Sequence, residues 1–476
     1  MDLKTATEII GGTLVGDSNP GAVFNGVSID SRTACAGELF FAIRGANNDG
    51  HRFVPDAFAR NVAGVVVESS RAAEFTEFTQ VVAVADTTQA LKELARKYRV
   101  DVGAVYVGIT GSTGKTTVKE MIHHLLETAQ KRSYASPGNF NNLFGLPLAL
   151  LRMDRSVDFG VFELGISTPG EMDQLAPILE PTVAVITNIS ATHLEFLGSV
   201  DKVREEKLKL LSFLRAGGAA VAPADDRALM NAARDYGVSL VTFSGVIYSD
   251  ADVKPSWAAI DNSNGQPTFE YDGRKICLKL FGMHQVENAM CALASCRALK
   301  VDVDIESLAT FRMDRAGWRG EIERVSDMTL VLDYYNAGPA SMRAGLETFL
   351  ALELPQGAHK IAVLGDMLEL GESTQREHEK IGEALARHEI GKKKKDSAMT
   401  ALLTVGEHAV HISSAFDRER DSGETTLVTH CANSAEAGRA LLKIVRPGDA
   451  VYFKASRGIK LEETVTILKG GAFKLN

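Results

Sequence analysis

The sequence predicts an α/β protein of three domains. A central P-loop-type unit with a mostly parallel sheet is preceded by an α/β unit and followed by a Rossmann-like α/β unit. Three observations carry this expectation. The 476 residues correspond to three domains at roughly 150 residues each. Short, almost wholly apolar β-branched runs alternate with helical patterns, as strands do when a parallel sheet is covered on both faces. The pattern also changes near residue 100 and near residue 314, which sets expected domains of 1–100, 101–314 and 315–476.

In the first region, "LFFAI", "AGVVVE" and "VVAVA" read as short strands split by turns such as "NNDG". The segment "TTQALKELARKYR" closes it as a helix, because Leu91, Leu94 and Tyr98 share one face. In the second region, "AVYVGIT", "FGVFELG" and "VAVITNI" are apolar strands between helical stretches. "GQPTFEYDGRKICLKLFG" interrupts the rhythm and reads as a hairpin around its "DG" turn, followed by the apolar helix "ENAMCALASCRAL". In the third region the alternation restarts with "TLVLDYY", "KIAVLGDM", "ALLTVG" and "AVYFKAS".

Composition narrows the function classes. Hydrophobic residues make up 45% of the chain and charged residues 24%, which supplies an ample core. The net charge of -9, without a basic stripe, argues against a nucleic-acid partner. The one dense basic run, "GKKKKD" (391–396), reads as a solvated surface loop rather than an anion or membrane patch. Five scattered cysteines without CxxC or metal spacing point to reduced thiols and a cytoplasmic setting. "MDLKTATEII" does not read as a signal peptide, and no apolar run is long enough to span a membrane.

The chemistry starts at "VGITGSTGKTT" (107–117), between an apolar strand and a helix whose Val118, Met121, Ile122, Leu125 and Leu126 recur at helical spacing. Helix N-terminal amides and dipole favour phosphate there. Gly111 and Gly114 permit close backbone approach around Ser112 and Thr113. Lys115 can reach terminal phosphates, and Thr116, followed by Thr117, can offer a hydroxyl to magnesium. The usual P-loop has a further Gly where this chain has Ile109. Glu163 ends the strand "FGVFEL", at the sheet edge where open α/β sheets bind ligands, and is a candidate magnesium ligand. His193 in "NISATHLEF" reaches the same edge, and taken alone it serves equally as a structural hydrogen-bonder.

"TGSTGKTT", "PGNFNNLFGLPLALL", "ELGISTPGEM", "ITNISATHLEFLGS", "HQVENAMCALA", "DYYNAGPASM", "VLGDMLELGE" and "KASRGIKLEE" resemble, in this order, the motifs of the Mur ligases. "GVSIDSR…GELFFAIRGANNDGHRF" is similar to the UDP-binding N-terminal domain of that family, so the resemblance runs nearly end to end. The "GNFNN…GLP" and "DYYNAGP" blocks look most like the branch that joins D-alanyl-D-alanine to UDP-N-acetylmuramoyl-tripeptide.

The resemblance accounts for Ile109, since the family loop has the TGxxGKT form. It implies an ADP-forming ligase of cell-wall peptidoglycan synthesis, acting as a monomer on these two small molecules. ATP phosphorylates a carboxylate, and an amine then displaces phosphate. Lys115 would neutralise the β- and γ-phosphates. Two magnesium ions are implied, one at Thr116 and Glu163 and one at His193 and Lys207, with Lys207 carbamylated. Asn288 would read adenine, Asp333 would sit near the ribose, and Arg319 would enter from the C-terminal domain to bind phosphate on closure. Ser31, Arg32, Asp49, Gly50 and His51 would contact the uridine nucleotide. Asn139, Asn141 and Asn142 would border the muramyl-peptide cleft, and Asn336, Lys454, Ser456 and Arg457 would bind peptide or dipeptide. Four positions depart from the family pattern: Lys209 where an acid is common, Gln285 for Asn, Gly338 for Asn and Ala455 for Gly.

Overall fold

Four sheets organise the chain in the computed structural model, which describes residues 1–45, 48–313, 318–387, 399–420 and 425–472. The "GKKKKD" run lies outside the described residues. The first sheet has the spatial order Thr13–Val15, Val81–Val84, Gly64–Glu68, Glu38–Phe41, Gly26–Ser28. All pairs are parallel except the one made by Thr13–Val15. The expected boundary at 100/101 falls inside a helix. Thr87–Val102 continues to Gly103, whose positive φ of 68° ends it.

The central sheet is wholly parallel. Its order is Ser239–Phe243, Ala219–Pro223, Val183–Ile186, Val105–Thr110, Phe159–Glu163, Ser133–Ala135. Side chains of successive strand residues face opposite ways, and both faces are buried here. In the central strand, Val107 and Ile109 pack with Val118, Met121 and Ile122 of helix Lys115–Thr128 and with Ala289 of helix His284–Ala298. Tyr106 faces the other way, towards Leu146, Met172 and Leu175. This two-sided burial is why the sequence shows continuous apolar runs rather than alternation. The "DG" hairpin is present as Gln266–Tyr271 and Arg274–Cys277, with Asp272 and Gly273 both at positive φ. A third antiparallel strand, Trp257–Asp261, joins it.

The last sheet has the order Glu321–Val325, Met328–Leu332, Ala450–Lys454, Lys360–Gly365, Ala401–Val405, Leu427–Cys431, parallel except at its first pair. Segments just beyond the carboxyl ends of the central and last sheets line one shared cleft, the place where open parallel sheets bind ligands. The first domain braces this arrangement from outside. Lys92 donates to Gln174 at 3.0 Å, and Arg99 bonds the Leu179 carbonyl at 3.1 Å and Glu180 at 2.5 Å.

Beyond Gly365 the chain makes a tight excursion towards the cleft, anchored by Asp366. Its buried carboxylate accepts the amides of Glu407, His408 and Ala409, at 3.0, 3.0 and 2.6 Å. Asp366→Ala would strand these amides at the start of helix Val410–Glu419. We expect a loss of about 3 kcal/mol or more, read as a lowered denaturant midpoint of the C-terminal transition; an unchanged midpoint would contradict this role.

Candidate active site

The cleft has a volume of about 560 Å³ and is lined from both the central and the C-terminal sheets. Its floor is the glycine loop. Helix Lys115–Thr128 starts at Gly114, which has φ 79° and no side-chain cap, so the first-turn amides stay available to an anion. Gly111 has φ 147°, and a Cβ there would lie 1.9 Å from Thr187 Oγ1. A Cβ on Gly114 would lie 2.4 Å from Asn288 Oδ1. Both glycines are therefore required by positive φ and by close neighbours together. Asn188 Oδ1 accepts the Thr113 amide at 3.0 Å, and Ser112 accepts the Ser190 amide at 2.9 Å, fixing the loop against the strand Val183–Ile186 and the segment after it.

Lys115 folds back onto its own loop, donating to the Gly111 carbonyl at 2.8 Å. Burial lowers its pKa, opposed by Glu163 and reinforced by Arg319. Glu163 is 4% exposed; its Oε2 accepts from Thr116 at 2.8 Å and its Oε1 from Asn141 at 2.9 Å. Burial alone would raise its pKa. The charges of Lys115 and Arg319, with the two hydrogen bonds, outweigh that and keep it below the usual carboxylate range. Arg319 stacks over the Tyr335 ring at 3.9 Å and carries positive charge into the cleft from the C-terminal side.

Lys207, on helix Val200–Leu208, is 1% exposed. Burial, then the Lys115 charge, pushes its pKa well down against the pull of Glu163 and Glu206. No hydrogen bond or ion pair engages its amine among the described residues. Lys209 turns outward and bridges Asp173 at 2.7 Å and Glu206 at 2.8 Å.

His193 stands at the cleft edge with φ 54°, its Nδ1 2.5 Å from Oε2 of Glu369, in the segment that follows strand Lys360–Gly365. Thr116 Oγ1 and Glu163 form an oxygen-only donor set that suits magnesium. No cluster of three His, Cys, Asp or Glu among the described residues would cage a metal alone. These residues therefore fit a cation whose remaining ligands come from phosphate and water.

On the far side of the loop, Asn288 donates to Gln285 at 2.9 Å, and Gln285 meets the His284 ring at 3.1 Å. The longer Gln285 thus serves as the brace that holds Asn288 beside Gly114. Asp333 Oδ2 receives Lys454 at 2.7 Å and the Tyr452 hydroxyl at 3.0 Å. Asn336 and Gly338 also line the cleft.

The N-terminal candidates lie outside this cleft. His51 is 1% exposed, with Nδ1 on Asp49 at 2.7 Å and Nε2 accepting the Glu68 amide at 2.9 Å. Asp49 also pairs with Arg71. His51 therefore has no ring nitrogen for a nucleotide, because both already secure the turn that begins at Gly50. Ser31 is buried, and Arg32 forms an exposed two-bond pair with Asp30 at 2.9 and 2.7 Å. None of these five lines the cleft.

Asn142 lines the cleft, its Oδ1 accepting the Gly145 amide at 2.8 Å, while Asn139 lies exposed outside it. Ser456 is buried, accepting the Leu368 amide at 3.0 Å and donating to the Ala337 carbonyl at 3.3 Å. Lys454 is already paired with Asp333. Arg457 stacks over Trp318 at 4.8 Å, outside the cleft. Ala455 is fully buried against Gly365.

Sequence reasoning missed Asn188, Glu287 and Glu369. Glu287 lines the cleft beside Asn288, and burial, then the Asp225 charge, raises its pKa to about 7. Its folded pKa exceeds its unfolded one, so the folded state binds the extra proton between about pH 4.5 and 7 and loses stability as pH rises through that window. Glu287→Gln should therefore raise the thermal midpoint more at pH 8 than at pH 5. An equal gain at both pH values would contradict the burial argument.

Three family models match the chain. These are "Mur ligase family, catalytic domain" over residues 23–99, "Mur ligase middle domain" over 109–296 and "Mur ligase, glutamate ligase domain" over 318–457. The UDP-N-acetylmuramoyl-tripeptide--D-alanyl-D-alanine ligase of Bacillus subtilis (strain 168) is 32% identical over 470 residues, covering 97% of both chains. MurF from Acinetobacter baumannii superposes with a TM-score of 0.83 at 28% identity, covering 98% of each chain. MurF ligase from Thermotoga maritima, in complex with ADP, gives 0.79 at 25% identity, covering 95% of this chain and 99% of that one.

Proposed function

The chain belongs to the Mur ligase family, and from that premise we infer that it is an ADP-forming ligase of peptidoglycan synthesis. It joins D-alanyl-D-alanine to UDP-N-acetylmuramoyl-tripeptide, as its relatives are named for doing. The observation that carries this reading is the cleft itself. An uncapped glycine-loop helix, a buried ionised acid and an arginine from another sheet face one space large enough for two reacting groups.

A carboxylate is a poor electrophile until one oxygen becomes a leaving group. Transfer of the ATP γ-phosphoryl to the tripeptide carboxylate supplies that, and the dipeptide amine then displaces phosphate. Lys115 leaves the Gly111 carbonyl and pairs with the β- and γ-phosphates. The first-turn amides after Gly114 bind phosphate oxygens. Arg319 offsets charge developing on the transferred group from the C-terminal side. Asn288, braced by Gln285, meets adenine, while Asp333, held by Lys454 and Tyr452, meets the ribose. Asn141, anchored on Glu163, borders the muramyl-peptide end.

Magnesium would be held at Thr116 and Glu163, and a second ion at His193 and Lys207, where it supplies charge neutralisation on the phosphates. For Lys207 this requires a carbamate. The neutral amine attacks carbon dioxide, a C–N bond forms, and a proton is released. Its burial, lowered pKa and unengaged amine support that step. The outward turn of Lys209 leaves the local charge compatible with it.

We place the domain boundaries near Gly103 and near residue 314, from the helix end and from the family-model limits. No helix among the described residues is long and apolar enough to cross a membrane. Dependence on ATP, with five free cysteines, supports action in the cytoplasm.

Phosphate release with UDP-muramyl-tripeptide should require D-alanyl-D-alanine; dipeptide-independent release, or none, would defeat the assignment. Lys115→Ala should lower kcat at least about 100-fold, by loss of charge stabilisation in the transition state, with the fold kept by circular dichroism. For Lys207, labelled carbon dioxide should give a carbamate carbon signal absent in Lys207→Ala. A fully active Lys207→Ala protein would overturn its role.

A further inference from the structure

We propose that Glu369 is the positioning residue of His193, so that the histidine is oriented for its cation only when the C-terminal domain is docked. The inference rests on the ligase reading for the identity of that cation and on the contact geometry for the rest.

Glu369 lies in the excursion 366–371 after strand Lys360–Gly365, while His193 precedes helix Leu194–Leu197 of the central domain. Their side chains meet at 2.5 Å across 176 residues of sequence. Both carry positive φ without being glycine, 54° at His193 and 63° at Glu369. Such backbones persist only where surrounding structure holds them, and they concentrate at functional contacts.

The excursion is held along its length. The Met367 amide donates to His378 Nε2 at 3.0 Å, and the Leu368 amide donates to Ser456 Oγ at 3.0 Å. Its tip is seated on the histidine's own helix. The Glu195 amide donates to the Glu369 carbonyl at 3.3 Å, and a Cβ on Gly371 would stand 2.8 Å from Glu195 Cα. Gly371 therefore sets the close approach that delivers Glu369.

A carboxylate only accepts hydrogen bonds, so the proton between them sits on Nδ1 and the Nε2 lone pair is left for a cation. This is the arrangement by which a second acid orients a metal-ligating histidine. Here the acid comes from a different domain than the ligand. Undocking withdraws Glu369 and leaves His193 free to rotate and to change tautomer.

The test uses the full-length protein and Glu369→Ala, with Glu369→Gln as the conservative variant, since its amide oxygen can accept the same proton. Nitrogen-15 spectra of the metal-free wild type should show the His193 ring protonated at Nδ1, and Glu369→Ala should shift it towards Nε2. The magnesium concentration for half-maximal ligation should rise roughly 10–100-fold in Glu369→Ala. KM for the UDP-tripeptide should stay within about twofold, and Glu369→Gln should recover part of the loss. An unchanged tautomer with an unchanged magnesium requirement in both variants overturns the proposal. A wild-type chain that shows the tautomer and its loss, yet ligates nothing, supports the positioning role and sinks the reaction assignment instead.

Discussion

The site depends on keeping one carboxylate ionised where water barely reaches it. Glu163 ends an apolar strand at 4% exposure, and an unpaired charge there would cost several kcal/mol. Its environment is organised around meeting that cost. Thr116 brings the start of the loop helix, Asn141 brings the segment before helix Gly145–Arg152, and Lys115 and Arg319 bring positive charge. Arg319 belongs to the far side of the cleft, so the acid is fully served only when the C-terminal unit faces it. Burial, then the charge of Lys115, pushes Lys207 towards its neutral form, against the pull of Glu163 itself. One buried charge thus links strand, loop, peptide-side segment and domain arrangement.

Much of the framework was legible because its signals are local. The runs "AVYVGIT", "FGVFELG" and "VAVITNI" lie in Val105–Thr110, Phe159–Glu163 and Val183–Ile186, since burial on both sheet faces writes itself as continuous apolar sequence. The helix after "TGSTGKTT" followed from its 3.6-residue repeat, and the "DG" hairpin from turn chemistry. Helix Thr87–Val102 keeps its amphipathic pattern through the point where composition changes.

What stayed hidden are partnerships between distant segments. In "NDGH", His51 faces inward and pairs with the half-buried Asp49, and Glu68 and Arg71 supply further partners that spacing cannot show. Ser456 sits in a motif suited to carboxylates but spends its hydroxyl bracing the 366–371 excursion. Glu369 stands in the quoted "VLGDMLELGE" and received no role, since its partner is 176 residues away. The one available hint was an acidic residue two positions before Gly371, at a tip needing positive φ. Gln285 was a departure in the sequence and is a brace in the fold.

The central claim is that this cleft activates a carboxylate by phosphorylating it before the amine attacks. The most direct measurement follows one oxygen atom. UDP-muramyl-tripeptide carrying oxygen-18 in the carboxylate of its third residue is turned over with ATP and D-alanyl-D-alanine, and the released phosphate is analysed by mass. The account predicts that each phosphate carries one oxygen from that carboxylate, because the bond broken by the amine is the acyl C–O bond. Phosphate without the label, formed while the peptide bond is made, would contradict it.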